Sequence, residues 1–188
     1  MILVVDDALP EPQRVLEHAV TREFGTVEGP DGQSYTGISL DVPGWIAGPL
    51  YTRLNELLGP IEPTYLFFRV SPAGSRPPQW VHADSKLGDA TAVVYLTPNP
   101  PPLSGTAIVR HVDGLETHPE TLAEYDTWRR DHSDPAKWIV RDFVPMKFNR
   151  MVLLPGYPLH AACPMVGFGD GPWNARLVLV TFFKKLGD

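Results

Sequence analysis

Prolines are spread along the whole of this chain, 21 of them in 188 residues. A proline fixes φ and lacks the backbone N–H that a helix interior or a central strand needs, so it favours turns. Short apolar runs recur between the prolines, and in the clearest of them, residues 90–97, nearly every residue is apolar. This pattern predicts many short strands, with 90–97 buried on both faces, and favours a β-sandwich or barrel.

Three helices accompany the predicted strands. The strands are expected at residues 2–5, 65–70, 79–84, 90–97, 105–110, 138–144, 151–154 and 175–183. The helices are expected at residues 10–24, 49–58 and 119–130. The first two helices carry apolar stripes that would brace a sheet, and 25–37 between them is a polar, glycine-rich loop. We expect one domain over 1–188, with 1–63 as N-terminal helical support and 64–184 as the core.

Composition excludes several classes of protein. The formal net charge of −6 argues against a general nucleic-acid binder, because phosphate contacts need basic patches. The single cysteine, Cys163, cannot form an intramolecular disulfide and fits a reducing compartment. No apolar run is long enough to predict a membrane span, and the first residues lack the features of a signal peptide. We therefore expect a cytoplasmic enzyme, with no prediction of its oligomeric state.

The pattern His-x-Asp occurs three times in the chain. The copies are His82/Asp84, His111/Asp113 and His132/Asp134. A short motif alone is a weak sign, so its context must separate the copies. Asp113-Gly114 and Asp134-Pro135 are typical of turns. Only His82/Asp84 lies directly ahead of the long strand at 90–97, which can hold a rigid site.

His82 and Asp84 are suited to bind one metal ion. In extended backbone, residues i and i+2 point to the same side, roughly 6.6 Å apart. An imidazole nitrogen and a carboxylate oxygen can then converge on a metal, and we place the third ligand at His160. Two histidines and one carboxylate leave open coordination positions, an arrangement typical of non-haem iron(II) oxygenases.

The order of the remaining segments resembles a known family. The segments are 82–84 (HAD), 93–98 (VVYLTP), 104–106 (SGT), 149–155 (NRMVLLP), 160–164 (HAACP) and 176–183 (RLVLVTFF). Together they resemble the 2-oxoglutarate/iron(II)-dependent oxygenases, in particular the prolyl 4-hydroxylase-like branch, over residues 64–184. The resemblance lies in the ordered set and in no single motif.

This resemblance implies a fold, a reaction and a set of cofactors. The fold would be a mainly β (α+β) double-stranded β-helix, a cupin-like jelly roll with helices packed outside. His82, Asp84 and His160 would bind iron(II). The cosubstrates would be 2-oxoglutarate and O₂, with ascorbate as an optional stimulant. The reaction would hydroxylate a C–H bond of an amino acid, a peptide or a small natural product, releasing succinate and CO₂.

Arg176 stands where the family has its basic residue for the far carboxylate of 2-oxoglutarate. A guanidinium pairs with a carboxylate through two hydrogen bonds and keeps its charge in an apolar wall. The family often has a tyrosine on the strand before the metal motif, whereas this chain has Phe68-Arg69-Val70 there. Arg69 and Tyr95 are therefore further candidates for contact with the cosubstrate, and Tyr65 is an alternative to Tyr95.

Two segments depart from the family pattern and are interpreted as insertions. They are residues 111–137, which carry the third helix, and 165–174, which contain several glycines and form either a lid or a long hairpin. Trp80, Phe168 and Trp173 are candidates for a substrate pocket, although each alone is more often a core or rim residue. The partner would be a small molecule or a peptide, with no nucleic acid and no membrane.

Two other classes stay open at this point. A cupin-like isomerase or hydrolase that uses zinc could share the three metal ligands, but it would have no need of Arg176 as a carboxylate clamp. A non-catalytic jelly-roll binding module is the third class, and an intact set of ligands with the arginine argues against it.

Overall fold

Two antiparallel sheets form the framework of the chain, and the computed structural model describes residues 1–187. The strands are β1 (Leu3–Val5), β2 (Gly25–Glu28), β3 (Ser34–Ser39), β4 (Ile61–Ser71), β5 (Val81–His82), β6 (Ala90–Tyr95), β7 (Gly105–His111), β8 (Trp138–Pro145), β9 (Met151–Pro155), β10 (His160–Cys163) and β11 (Arg176–Lys185). The larger sheet has the order β1-β9-β6-β11-β4-β3-β2, and the smaller has the order β5-β10-β7-β8. The expected mainly β architecture is confirmed.

The middle of the larger sheet is its most apolar part. β6 lies between β9 and β11, as its continuous apolar run predicts, and Ala92 and Val94 are fully buried. Side chains that alternate along β11 divide between the two faces. Leu177 and Leu179 lie on the outer face of the larger sheet, away from the smaller one, and Val178 and Val180 point into the space between the sheets.

Three α-helices lie outside this framework. They are α1 (Pro12–Ala19), α2 (Gly44–Leu58) and α3 (Leu122–Asp131). Leu16 of α1 and Leu50 and Leu54 of α2 are buried in one cluster with Phe68 of β4, so the two N-terminal helices cover the outer face of the larger sheet. α3 begins with a capping box between Thr121 and Glu124. No helix within residues 1–187 combines the length and the apolar character needed to cross a bilayer.

The segment 25–37, predicted to be a loop, is largely a β-hairpin. β2 and β3 pair with each other, and β3 continues the sheet beside β4. Its residues are mostly polar because this edge faces solvent, which hides the apolar alternation that predicts a strand. Gly37 has φ of +72°, and a Cβ there would lie 2.1 Å from the carbonyl oxygen of Val70, so the close pairing with β4 requires a glycine.

Candidate metal centre and its cleft

Two short strands place the two candidate histidine ligands side by side. His82 of β5 and His160 of β10 are direct partners in an antiparallel pair. Side chains at directly opposed positions lie on the same face of a sheet. The two ring centroids are accordingly 4.6 Å apart.

Asp84 joins them from just beyond the end of β5. Its backbone N–H donates to the carbonyl of Gly156 at 2.8 Å, and its Oδ2 accepts a hydrogen bond from Thr91 Oγ1 at 2.6 Å. Its oxygens lie 3.3 Å from Nε2 of His160 and 3.7 Å from Nε2 of His82. One ligand atom from each of the three residues lies within 4.8 Å of the others, so the structure brings the predicted set together.

The protein orients both rings with their Nε2 atoms toward Asp84. Nδ1 of His82 lies 3.1 Å from the carbonyl oxygen of Trp80, and Nδ1 of His160 lies 3.0 Å from that of Pro158. A carbonyl oxygen only accepts, so Nδ1 must carry the hydrogen in each ring. In a neutral ring this leaves the lone pair on Nε2, the form that binds a metal.

Burial and mutual charge set the ionisation of the three groups. Burial, followed by the nearby His160, lowers the pKa of His82 to about 4. Burial alone would raise the pKa of Asp84, but the neighbouring His160 and His82 and the bond from Thr91 hold it below its usual range. Burial opposes protonation of His160 as well, yet the charge and hydrogen bond of Asp84 raise its pKa overall. At neutral pH, His82 is neutral and Asp84 is charged, as metal ligands must be.

The other two copies of the motif do not assemble a comparable site. His111 is buried, and its Nε2 lies 3.2 Å from Oδ2 of Asp131, while Asp113 is largely exposed. Nδ1 of His132 bonds to the hydroxyl of Ser133. Within residues 1–187, the cluster of three potential metal ligands is the one formed by His82, Asp84 and His160.

Two arginines point into the space between the sheets from neighbouring strands. Arg176 of β11 is opposite Ser71, and Arg69 of β4 is opposite Val178. The two arginines are therefore diagonal neighbours on one face, roughly 7–8 Å apart at the backbone. Nε of each is buried and has no hydrogen-bond partner among residues 1–187. Burial lowers the pKa of both, that of Arg69 to about 10.

Tyr95 completes this buried polar group from β6. It is opposite Val178, fully buried, and its hydroxyl lies 2.7 Å from Oγ1 of Thr106. Burial raises the pKa of Tyr95, and the charge of Arg176 partly offsets this effect. Tyr65, the alternative, is 46% exposed and is opposite Phe182 in β11.

Comparison with solved structures identifies the architecture. The chain aligns over 97% of its length with 78% of the epimerase SnoN in complex with Fe³⁺, alpha ketoglutarate and nogalamycin RO, at 15% identity and a TM-score of 0.58. It aligns over 99% with 93% of a Pseudomonas putida prolyl-4-hydroxylase, at 19% identity and a TM-score of 0.54. The fold is that of the 2-oxoglutarate/iron(II) oxygenases. The predicted jelly roll is thereby confirmed.

A third similar structure is a prolyl hydroxylase from Trichoplax adhaerens in complex with a peptide of hypoxia inducible factor. The chain covers 82% of it at 13% identity, with a TM-score of 0.53. No protein-family model matches the sequence, and no curated protein sequence is significantly similar to it. At these identities the comparisons establish the oxygenase fold and leave the activity to be argued from the site.

A cleft of about 330 Å³ opens beside the candidate metal centre of this oxygenase fold. His82 and Asp84 line it, and Arg69 lies on the adjoining strand face. One wall comes from the β2–β3 hairpin and the other from the insertion 111–137. The aromatic and basic cleft-lining residues that sequence reasoning missed are Tyr35, Phe67, Lys86, His118, Tyr125, Trp128 and Phe182. Their common signal is an aromatic or basic side chain on a segment flanking the metal strand, which is too general to single them out.

The three aromatic residues predicted to contact substrate lie elsewhere. Phe168 is buried in the core between the sheets, and Trp173 is 59% exposed. Nε1 of Trp80 donates to the carbonyl of Ala162 at 2.7 Å, which holds its ring against the smaller sheet. None of the three is among the residues that line the cleft. In a continuous strand Trp80, two residues before His82, would share the face of His82. Because Trp80 precedes the start of β5, this alternation does not extend to it.

Hydrogen bonds and close packing hold the segment 165–174 against neighbouring backbone. Ala73 N–H donates to the carbonyl of Gly169, and Gly74 N–H donates to that of Val166, both at 2.8 Å. Oδ1 of Asn174 accepts hydrogen bonds from the backbone of residues 170 and 171. A Cβ on Gly167 would lie 2.3 Å from the carbonyl oxygen of Pro72. These contacts describe a packed connection, which does not support the interpretation of this segment as a lid.

Proposed function

We propose that this chain is a non-haem iron(II) and 2-oxoglutarate-dependent dioxygenase that hydroxylates a C–H bond of an amino acid, a peptide or a small natural product. The observation that carries the proposal is the pairing of two features in one fold. The largely buried His82–Asp84–His160 cluster lies beside a cleft, and the neighbouring sheet carries Arg176, which is buried and whose Nε has no hydrogen-bond partner within residues 1–187. A zinc hydrolase or isomerase would need the first feature but not the second.

The residues present fit an iron(II) ion. His82 and His160 would each bind through Nε2 and Asp84 through a carboxylate oxygen, which is the donor set of iron(II) oxygenases. The carbonyls of Trp80 and Pro158 would hold the rings, and Thr91 would hold the carboxylate. Iron bound here would supply the oxidising chemistry: one atom of O₂ enters the C–H bond as hydroxyl, and the other enters the succinate that 2-oxoglutarate forms with loss of CO₂.

Arg176 fits the far carboxylate of 2-oxoglutarate. It is 7% exposed, and within residues 1–187 the ionisable groups that act on it are Tyr95 and Cys163, with no carboxylate among them. An arginine that is desolvated without an anion is costly, and a carboxylate that arrives with the cosubstrate would remove that cost. The near end of the cosubstrate would then reach the metal, so both ends of the molecule are fixed.

The decisive experiment measures succinate and product together. The protein is loaded with iron(II) under air and given 2-oxoglutarate and a panel of amino acids, peptides and small natural products. We expect metal-dependent succinate formation that a substrate increases, with a product heavier by one oxygen atom. His82→Ala should abolish it. A product of unchanged mass would point to epimerisation, the activity in the name of SnoN, and an absence of succinate in every case would overturn the proposal.

A further inference from the structure

Arg69 is a second, partly buried cation that the cosubstrate does not require. 2-Oxoglutarate has two carboxylates, of which one would chelate the metal and the other would bind Arg176. Arg69 lines the cleft, whereas Arg176 is not among the lining residues. The two side chains share one sheet face, and the nearby charge of Arg176 acts with burial to lower the pKa of Arg69. An anion bound from the cleft side would offset both the desolvation of the Arg69 charge and its repulsion by Arg176.

The protein itself offers Arg69 only weak partners. Tyr35 places its ring 5.8 Å from the guanidinium carbon, and the Tyr35 hydroxyl is occupied by a 2.8 Å bond to Asp31. Asp84 is close enough to favour the charged form of Arg69 but makes no ion pair with it among residues 1–187. Nε of Arg69 is buried and lacks a hydrogen-bond partner in the part of the chain that the structure describes. A guanidinium in this state is a site for a ligand with acceptor oxygens.

The rest of the cleft determines what kind of acid would fit. Its lining includes the aromatic side chains of Tyr35, Tyr65, Phe67, Tyr125, Trp128 and Phe182. Its volume of about 330 Å³ suits a small molecule. Glu28, Asp31 and Lys86 also line it, and all three are exposed, so their charges are screened by solvent. The single guanidinium of Arg69 is better matched by one negative charge than by a phosphate dianion.

We propose that the substrate is a small carboxylic acid with an apolar, preferably aromatic, body, and that Arg69 binds its carboxylate. The role of the cleft as the substrate site rests on the proposed function, since it is the candidate iron centre that makes the cleft reactive. Arg69 is then a substrate residue that sets specificity, and not the second cosubstrate contact predicted from the sequence.

The test compares each acid with its own uncharged amide. Zinc-loaded protein with 2-oxoglutarate is titrated by calorimetry with 3-phenylpropanoate, indole-3-propanoate and cyclohexylacetate, and with the matching primary amides. We expect at least one acid to bind roughly ten- to a hundredfold more tightly than its amide. Arg69→Gln should remove that preference, and Arg69→Lys should retain part of it. Arg53→Gln, which removes an exposed arginine paired with Glu56, is the matched control.

The outcomes separate this inference from the proposed function. If no acid binds the wild-type protein better than its amide, the inference is wrong, and this comparison does not depend on any variant being folded. If Arg69→Gln weakens 2-oxoglutarate as much as Arg176→Gln does, Arg69 is a cosubstrate residue and the inference is again wrong. If the wild-type protein binds no 2-oxoglutarate but keeps an acid preference that depends on Arg69, the acid site stands and the proposed function fails.

Discussion

His82 and His160 are direct cross-strand partners whose rings lie 4.6 Å apart, although β5 contains only two residues. So short a strand needs support on both edges. β10 supplies one edge, and the insertion 111–137 supplies the other. Nε1 of Trp128 donates to the carbonyl of Val81 at 2.8 Å, and the Val81 N–H donates to the carbonyl of His132 at 3.0 Å. The insertion therefore fixes the position of the candidate metal ligands as well as one wall of the cleft.

The first prediction concerns metal binding. His82→Ala and His160→Ala should each abolish tight binding of one divalent ion per chain, because each removes one of three protein donors. Metal content after dialysis, together with calorimetric titration of iron(II) or zinc, measures this. His132→Ala is the matched control and should bind as the wild type does. If His132→Ala lost the metal while His82→Ala kept it, the wrong copy of the motif would have been chosen.

The second prediction concerns the cosubstrate. Arg176→Gln should leave metal binding intact and weaken 2-oxoglutarate by about 2–5 kcal/mol, the cost of losing a desolvated, charge-assisted pair. Calorimetric titration of the metal-loaded protein with 2-oxoglutarate measures the difference. Arg53→Gln again serves as the control. An unchanged affinity in Arg176→Gln would assign the far carboxylate to a different cation, with Arg69 as the first candidate.

The third prediction concerns pH and His132. Burial lowers the pKa of His132 below its ordinary value of 6.5. Between the lowered folded pKa and 6.5, the unfolded chain binds more protons than the folded one, so stability is lost as pH falls through this window. His132→Gln removes this contribution. The loss of unfolding free energy between about pH 7.5 and about pH 5.5, measured by denaturant titration of metal-free protein, should be smaller in the variant. An equal or larger loss would contradict the prediction.

The grouping of the candidate metal ligands could be predicted from the sequence because its signal is local and ordered. His82 and Asp84 are two residues apart before an apolar strand, and His160 and Arg176 follow at positions that fit a familiar order. The cleft could not be predicted in the same way. Tyr35 comes from a polar edge hairpin and Tyr125 from an exposed helix, and only the closed fold brings them to opposite walls. Nothing in the local sequence distinguishes such residues from ordinary surface aromatics.

The segment 165–174 shows why a glycine-rich run left both a lid and a long hairpin open. Gly167 and Gly169 have positive φ, which is compatible with a mobile hinge and equally with a tight, fixed turn. The contacts of the segment favour the fixed turn, and Phe168 is 8% exposed in the core between the sheets.

The fourth prediction is that Phe168→Ala destabilises the protein by about 3–5 kcal/mol. Trp173→Ala should change stability by less than about 0.5 kcal/mol. Urea unfolding of the two variants makes the comparison, and similar small losses in both would restore the interpretation as a lid.

The last prediction places substrate coupling on the other insertion. Tyr125 of α3 is 41% exposed, lines the cleft, and packs with its ring centroid 5.6 Å from that of Trp128. A side chain in that position can exclude water and hold the substrate near the metal without touching the metal ligands. Tyr125→Ala should therefore lower the ratio of oxidised product to succinate, while metal and 2-oxoglutarate affinity stay close to those of the wild type.

Trp173→Ala is the control for this ratio, because it also truncates a partly exposed aromatic ring but lies outside the cleft lining. The ratio is measured with whichever substrate of the panel gives the greatest turnover. We expect it to fall in Tyr125→Ala and to stay unchanged in Trp173→Ala. The reverse result would return the search for the substrate site to residues 165–174. Equal ratios in both variants and the wild type would mean that the substrate is held by the sheet face and the hairpin, with Arg69 and Tyr35 as its main contacts.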